Sequence, residues 1–122
     1  MKLHLTQQAG QNLFTAYGDG YVAVNQVRYE KSLIVLPQTL IADWAPRTVA
    51  ALQTGHFEQI LDLHPELVLL GTGTSFLFPN PRLSQPLVQA GIGFEVMDSH
   101  AAARTYNILM GEGRQVAAAL LL

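Results

Sequence analysis

Cysteine is absent from the 122-residue chain. That excludes a disulfide framework, a thiolate metal site and a cysteine nucleophile. Charge is also scarce, at 13% of residues. Seven Lys and Arg face nine Asp and Glu, for a formal charge of -2. Without a basic surplus, binding to a nucleic-acid backbone is not expected. Long apolar runs are missing too. The longest, Val116 to Leu122, is far short of the roughly 20 residues a spanning helix needs, so direct membrane insertion is not expected. Behind Met1-Lys2-Leu3-His4 there is no apolar signal core, and the cytoplasm is the default location. What is abundant is apolar residue content, at 49%, which marks a chain that folds rather than one that stays disordered. Its length suits a single domain over residues 1–122.

The first half reads as strands. Gly18-Asp19-Gly20 is a turn, since glycine accepts positive φ and Asp can bond its own backbone. Tyr21-Val22-Ala23-Val24 follows as a strand, Asn25-Gln26 bends or bulges it, and Val27-Arg28-Tyr29-Glu30 alternates at period two. Ser32 to Leu36 is a continuous apolar strand closed by Pro37. Thr39 to Trp44 is a further short strand, and Val49 to Leu52 suits either strand or helix. Residues 1–16 are an N-terminal extension or a first strand.

The second half alternates. His56 to Leu63 has the helical spacing Phe57, Ile60, Leu61. Glu66 to Leu70 is a buried strand, and Gly71-Thr72-Gly73-Thr74 leaves it. A second helix spans Asn80 to Ala90 with Leu83, Leu87 and Ala90 on one face. It starts either at Asn80-Pro81 or at Ser84; only the second start spares the roughly 3 kcal/mol cost of an interior Pro86. Gly93 to Met97 is a strand, and Asp98 or Ser99 caps a helix running to Met110. In that helix Ala102, Thr105, Tyr106 and Leu109 face the core, while Arg104 and Asn107 face away. Arg114 to Leu120 is the last strand. Helix–strand alternation requires crossovers, so the fold class is α/β: a mixed or largely parallel sheet, helices packed on it, and a smaller N-terminal β-meander.

Three constellations could carry chemistry. The loop Gly71-Thr72-Gly73-Thr74-Ser75 could cradle an anion with its amides. It lacks the Lys-Ser/Thr ending of a phosphate loop and the third glycine of a dinucleotide fingerprint, so a tight turn that satisfies its own amides is the favoured reading. The polar set Glu95, Arg104, Asn107, Glu112 and Arg114 is either a recognition patch or, the favoured reading, a solvated edge with weak ion pairs. Phe76, Leu77 and Phe78 form either a cap on the core, the favoured reading, or a docking loop for a protein partner or a second copy. His4, His56, His64 and His100 have no metal-site spacing, and Asp98-Ser99-His100 points in divergent directions; capping and surface exposure explain them. No cofactor, metal or catalytic residue is assigned.

The C-terminal half also resembles a known family. Gly91-Ile92-Gly93-Phe94-Glu95-Val96-Met97-Asp98-Ser99, Arg104-Thr105-Tyr106-Asn107-Ile108-Leu109, Glu112-Gly113-Arg114 and Val116-Ala117-Ala118-Ala119-Leu120-Leu121 carry the resemblance. Leu70-Gly71-Thr72-Gly73 and Phe78-Pro79 match its central turn, and the stretch from Gly20 to Pro37 with Trp44 fits its N-terminal half. The family comprises uncharacterised bacterial and archaeal proteins of a domain of unknown function, together with the mitochondrial NADH dehydrogenase (complex I) assembly factor 3. The resemblance covers residues 17–122. It implies a single three-layer domain: a central mixed sheet with helices, and a smaller set of strands packed against it. It implies no catalytic activity, and a role through protein partners in assembling a membrane-associated complex. Many members have Cys just before the Arg-Thr-Tyr-Asn run. Ala103 stands there in this chain, so a thiol-dependent role does not carry over.

Overall fold

A computed structural model describes residues 10–122; His4 and the rest of residues 1–9 lie outside the described part. The described residues open with a first strand, β1 (Phe14–Gly18), followed by β2 (Tyr21–Val24) and β3 (Val27–Tyr29) in an antiparallel meander. Gly18-Asp19-Gly20 makes the first turn as expected. Asn25-Gln26 does not bulge β2. Both residues have positive φ, 50° and 71°, and they form the two-residue turn between β2 and β3. A turn of this hand matches the right-handed twist of the strands it joins.

β4 (Leu33–Leu36) and β5 (Thr39–Ile41) begin a five-stranded sheet. The strand expected through Trp44 stops three residues early. Trp44 is instead buried as a plug, its Nε1 donating to Gln59 Oε1 at 3.1 Å. Val49–Ala51 form one turn of 3-10 helix, and α1 (Thr54–Leu61) buries Phe57 and Ile60. β6 (Leu67–Gly71) leads into the loop of interest. The two starts weighed for the second helix are both used. Asn80 Oδ1 caps a 3-10 turn over Pro81–Ser84, and α2 (Gln85–Gln89) then begins with Pro86 in its first turn. Leu87 is buried; Ala90, expected beside it, is exposed at the helix end. β7 (Gly93–Met97), α3 (Ser99–Gly111) and β8 (Val116–Leu120) complete the chain.

The five strands lie in the order β5-β4-β8-β6-β7. β7, β6 and β8 are parallel; β8, β4 and β5 are antiparallel. β4, β6 and β8 are buried on both faces, which is why they read as unbroken apolar runs rather than alternating ones. Side chains still alternate between two cores. Val116, Ala118 and Leu120 point to the core shared with α3 and the meander, with Phe14, Val22 and Tyr106. Ala117 and Ala119 point to the core under α1 and α2, with Phe57, Ile60 and Leu87. The apolar tail is thus the central strand, and the layers are helix, mixed sheet, then α3 with the small meander.

Candidate functional site

The loop after β6 is stitched to the start of α3. Thr72 N donates to Met97 O at 2.9 Å, and Ser99 N donates to Gly73 O at 2.9 Å. In return Gly73 N donates to Ser99 Oγ at 2.8 Å, and that hydroxyl donates to Leu121 O at 2.8 Å. Thr72 Oγ1 donates to Ser75 O at 2.6 Å and accepts from Leu77 N at 3.2 Å. These hydroxyls and amides are spent within the protein, as the tight-turn reading requires. Gly73 sits at φ +93°, and a Cβ on Gly71 would lie 2.8 Å from Ser99 Cα. Both positions therefore need glycine for backbone reasons, without any ligand.

Asp98 caps α3, its Oδ1 accepting from Ala101 N at 2.8 Å. Ser99 is buried, not exposed as expected. His100 is half-buried: it stacks on Tyr17 at 4.3 Å and donates from Nε2 to Gly18 O at 2.9 Å. His56 Nδ1 accepts from Gln53 N at 3.0 Å, a local cap on α1. His64 is exposed just beyond that helix. Among the described residues, no group of three or more His, Cys, Asp or Glu could hold a metal ion.

Beside the loop lies a cavity of about 350 Å³, lined by Thr72 to Ser75, Leu77, Ser99, His100, Leu121 and Leu122, and across from them by Gly20, Arg47, Thr48 and Val49. Arg47, Thr48 and His100 were not singled out from the sequence as a group. They are separated along the chain and join the loop only through the fold. Arg47 is already held, donating to Asp43 Oδ1 at 2.6 Å. Hydrogen bonding from Arg47, with Lys31 nearby, keeps the Asp43 carboxyl below its usual range.

The polar set does not come together, and none of it lines this cavity. Arg104 is exposed and donates to Tyr17 Oη at 2.7 Å. Asn107, expected beside it on the outer face, is buried. Its side chain reaches β1 instead: Oδ1 accepts from Phe14 N at 2.9 Å and Nδ2 donates to Phe14 O at 2.8 Å. Arg114 Nε donates to Glu66 Oε1 at 2.5 Å, and that bond holds the Glu66 carboxyl below the ordinary range. Glu95 on β7 and Glu112 at the end of α3 are exposed.

Phe76, Leu77 and Phe78 stand out from the surface at 53%, 54% and 74% exposure. Side chains so exposed do not cap the core. The two phenyl rings meet edge to face, 4.9 Å between centroids and 86° between planes.

A family described as a protein of unknown function, DUF498/DUF598, matches residues 14–121. The chain belongs to this family. Its DUF498/DUF598 fold is shared by a crystal structure of a Bordetella parapertussis protein, 43% identical, with a TM-score of 0.88 over 94% of this chain and 98% of that one. The "13 kDa major membrane protein" of Francisella tularensis is 29% identical over 110 residues, covering 88% of this chain and 89% of its own length. NADH dehydrogenase [ubiquinone] 1 alpha subcomplex assembly factor 3 of Mus musculus is 34% identical over 90 residues. That match covers 72% of this chain but only 48% of the mouse protein. Among the described residues, no helix is long and apolar enough to cross a membrane.

Proposed function

We propose that this DUF498/DUF598 protein is a non-catalytic, protein-binding helper in the assembly of a membrane-associated respiratory complex, working from the cytoplasm at the membrane surface. The observation that carries the reading is the kinship with assembly factor 3, at 34% identity over 72% of this chain. The Francisella relative, whose name places it in a membrane, supports the setting. The side chains support it as well. Ser99, Thr72 and Asn107 are tied up holding elements together, while an apolar loop is left outside. Partner contacts made by the half of the mouse factor beyond the match do not carry over. The test is deletion of the gene in its host, followed by native gels of the respiratory membranes. Loss of fully assembled NADH dehydrogenase, restored by the gene, is expected. Unchanged assembly overturns the reading.

The cavity beside Gly71 to Ser75 favours a second reading, a small-molecule binder. Its volume of about 350 Å³ falls within the range of ligand pockets, roughly 300 to 1,000 Å³. Arg104, Asn107 and Arg114 belong to other surfaces and drop out of that reading. Titration calorimetry with zinc, magnesium-ATP and NAD decides it. Heats no tighter than about millimolar are expected, and a micromolar constant overturns the non-catalytic reading in favour of this one.

A further inference from the structure

We infer that the Phe76-Leu77-Phe78 loop is a wedge that docks the protein on an anionic lipid surface. The inference rests on the membrane setting proposed above and names the element that meets the bilayer. Six large apolar side chains are exposed among the described residues. Four of them, Phe76, Leu77, Phe78 and Val88, lie between residues 67 and 94. That stretch contains no Asp or Glu, and its single charged residue is Arg82. Along this stretch of chain, exposed apolar side chains and an absence of Asp and Glu therefore coincide.

The wedge is preformed. Thr72 Oγ1 ties the base of the loop to Ser75 O and Leu77 N, Pro79 is buried behind it, and the two phenyl rings brace each other. Little ordering cost remains on contact. Arg82 follows four residues after Phe78, exposed, and makes no ion pair among the described residues. It is free to meet a lipid phosphate. Arg47 shares the cavity wall with Leu77 but is already engaged by Asp43, so Arg82 is the cation that matters.

Exposed apolar side chains followed four residues later by an exposed, unpaired cation suit the headgroup boundary, where phenyl and leucyl groups enter the acyl region and Arg meets anionic lipid. The expectation of no membrane insertion rested on the lack of a spanning segment, and a wedge of this depth needs none. Three side chains give weak, reversible attachment, since even a single myristoyl chain reaches an association constant of only about 10⁴ M⁻¹.

The experiment is flotation of the full chain with vesicles of phosphatidylethanolamine and phosphatidylglycerol, and with vesicles of phosphatidylcholine alone. Binding to the anionic vesicles is expected, falling at least tenfold in Phe76→Ser/Phe78→Ser and severalfold in Arg82→Gln. If the double variant melts early, Phe78→Trp supplies an independent readout. Trp44 is the sole native tryptophan and is buried, so it gives a constant background. A blue shift on anionic vesicles, quenched by brominated lipid, is expected from the new indole. No binding to any vesicle, or equal binding by wild type and a folded double variant, overturns the inference. So does equal binding to neutral and anionic vesicles. Self-association that depends on the loop, without vesicle binding, also overturns it and assigns the surface to a second copy of the chain. Vesicle binding alongside normal respiratory assembly in the deletion strain would sink the proposed function while leaving the wedge standing.

Discussion

Asn107 grips both backbone polar groups of Phe14, 93 positions earlier in the chain, at 2.9 Å and 2.8 Å. One carboxamide thus acts as a missing strand partner for β1 and joins α3 to the meander. Buried backbone groups must be paired somewhere, and here the helix supplies what a fourth strand of the meander would.

Replacing Asn107 by Ala should therefore cost about 2 to 5 kcal/mol, because it strands a buried donor and a buried acceptor together. Arg104→Ala, one turn away but exposed, should cost under about 1 kcal/mol. Urea unfolding of the two variants measures the difference. Equal losses would mean that the Phe14 backbone finds other partners.

Tyr106 gives a pH signature. Its side chain is fully buried and its hydroxyl donates to Asn12 O at 2.8 Å. Burial pushes its ionisation well above the ordinary tyrosine range. A folded-state pKa raised above the unfolded value of about 10 leaves stability intact below pH 10 and removes it as pH rises beyond. Each further pH unit costs up to about 1.4 kcal/mol while only the unfolded chain ionises. Melting temperatures of wild type and Tyr106→Phe between pH 8 and 12 should separate by a steeper decline in the wild type. Parallel curves would show that Tyr106 ionises freely in the fold.

Gly71→Ala tests the junction between the loop and α3. The added carbon would lie 2.7 Å from Leu120 Cδ2 and 2.8 Å from Ser99 Cα. Leu120 can shift, but Ser99 Cα is backbone at the start of a thirteen-residue helix. Overpacking of this kind costs about 1 to 3 kcal/mol. Thermal melts should show that loss, and amide exchange should quicken at Gly73, whose N–H rests on the Ser99 hydroxyl. An unchanged melt would show that α3 can slide.

Local sequence was informative wherever local physics governs. Gly93 to Met97 has the strand boundaries expected of it, since glycines and an Asp cap bracket it. The α1 face through Phe57 and Ile60 held because that helix packs on one side only. α3 differs because it lies between the five-stranded sheet and the meander, so its buried face is wider. Ala103, Tyr106, Asn107 and Met110 form a stripe as regular as the expected one. A polar Asn hides that stripe from any reading of apolar periodicity.

The amino-acid sequence by itself determined the α/β class, the strand–helix alternation of the second half and the turn at Gly18-Asp19-Gly20. These depend on side-chain period, turn chemistry and backbone freedom, all of which act over a few residues. Only the tertiary structure decided that Asn107 is structural, that the polar set is scattered, and that Arg47 and His100 share a cavity with the loop. It also decided that Phe76, Leu77 and Phe78 stay outside. Each of those outcomes depends on which distant segment occupies the neighbouring space, and a hydrogen bond across 93 residues leaves no periodic trace in the chain that makes it.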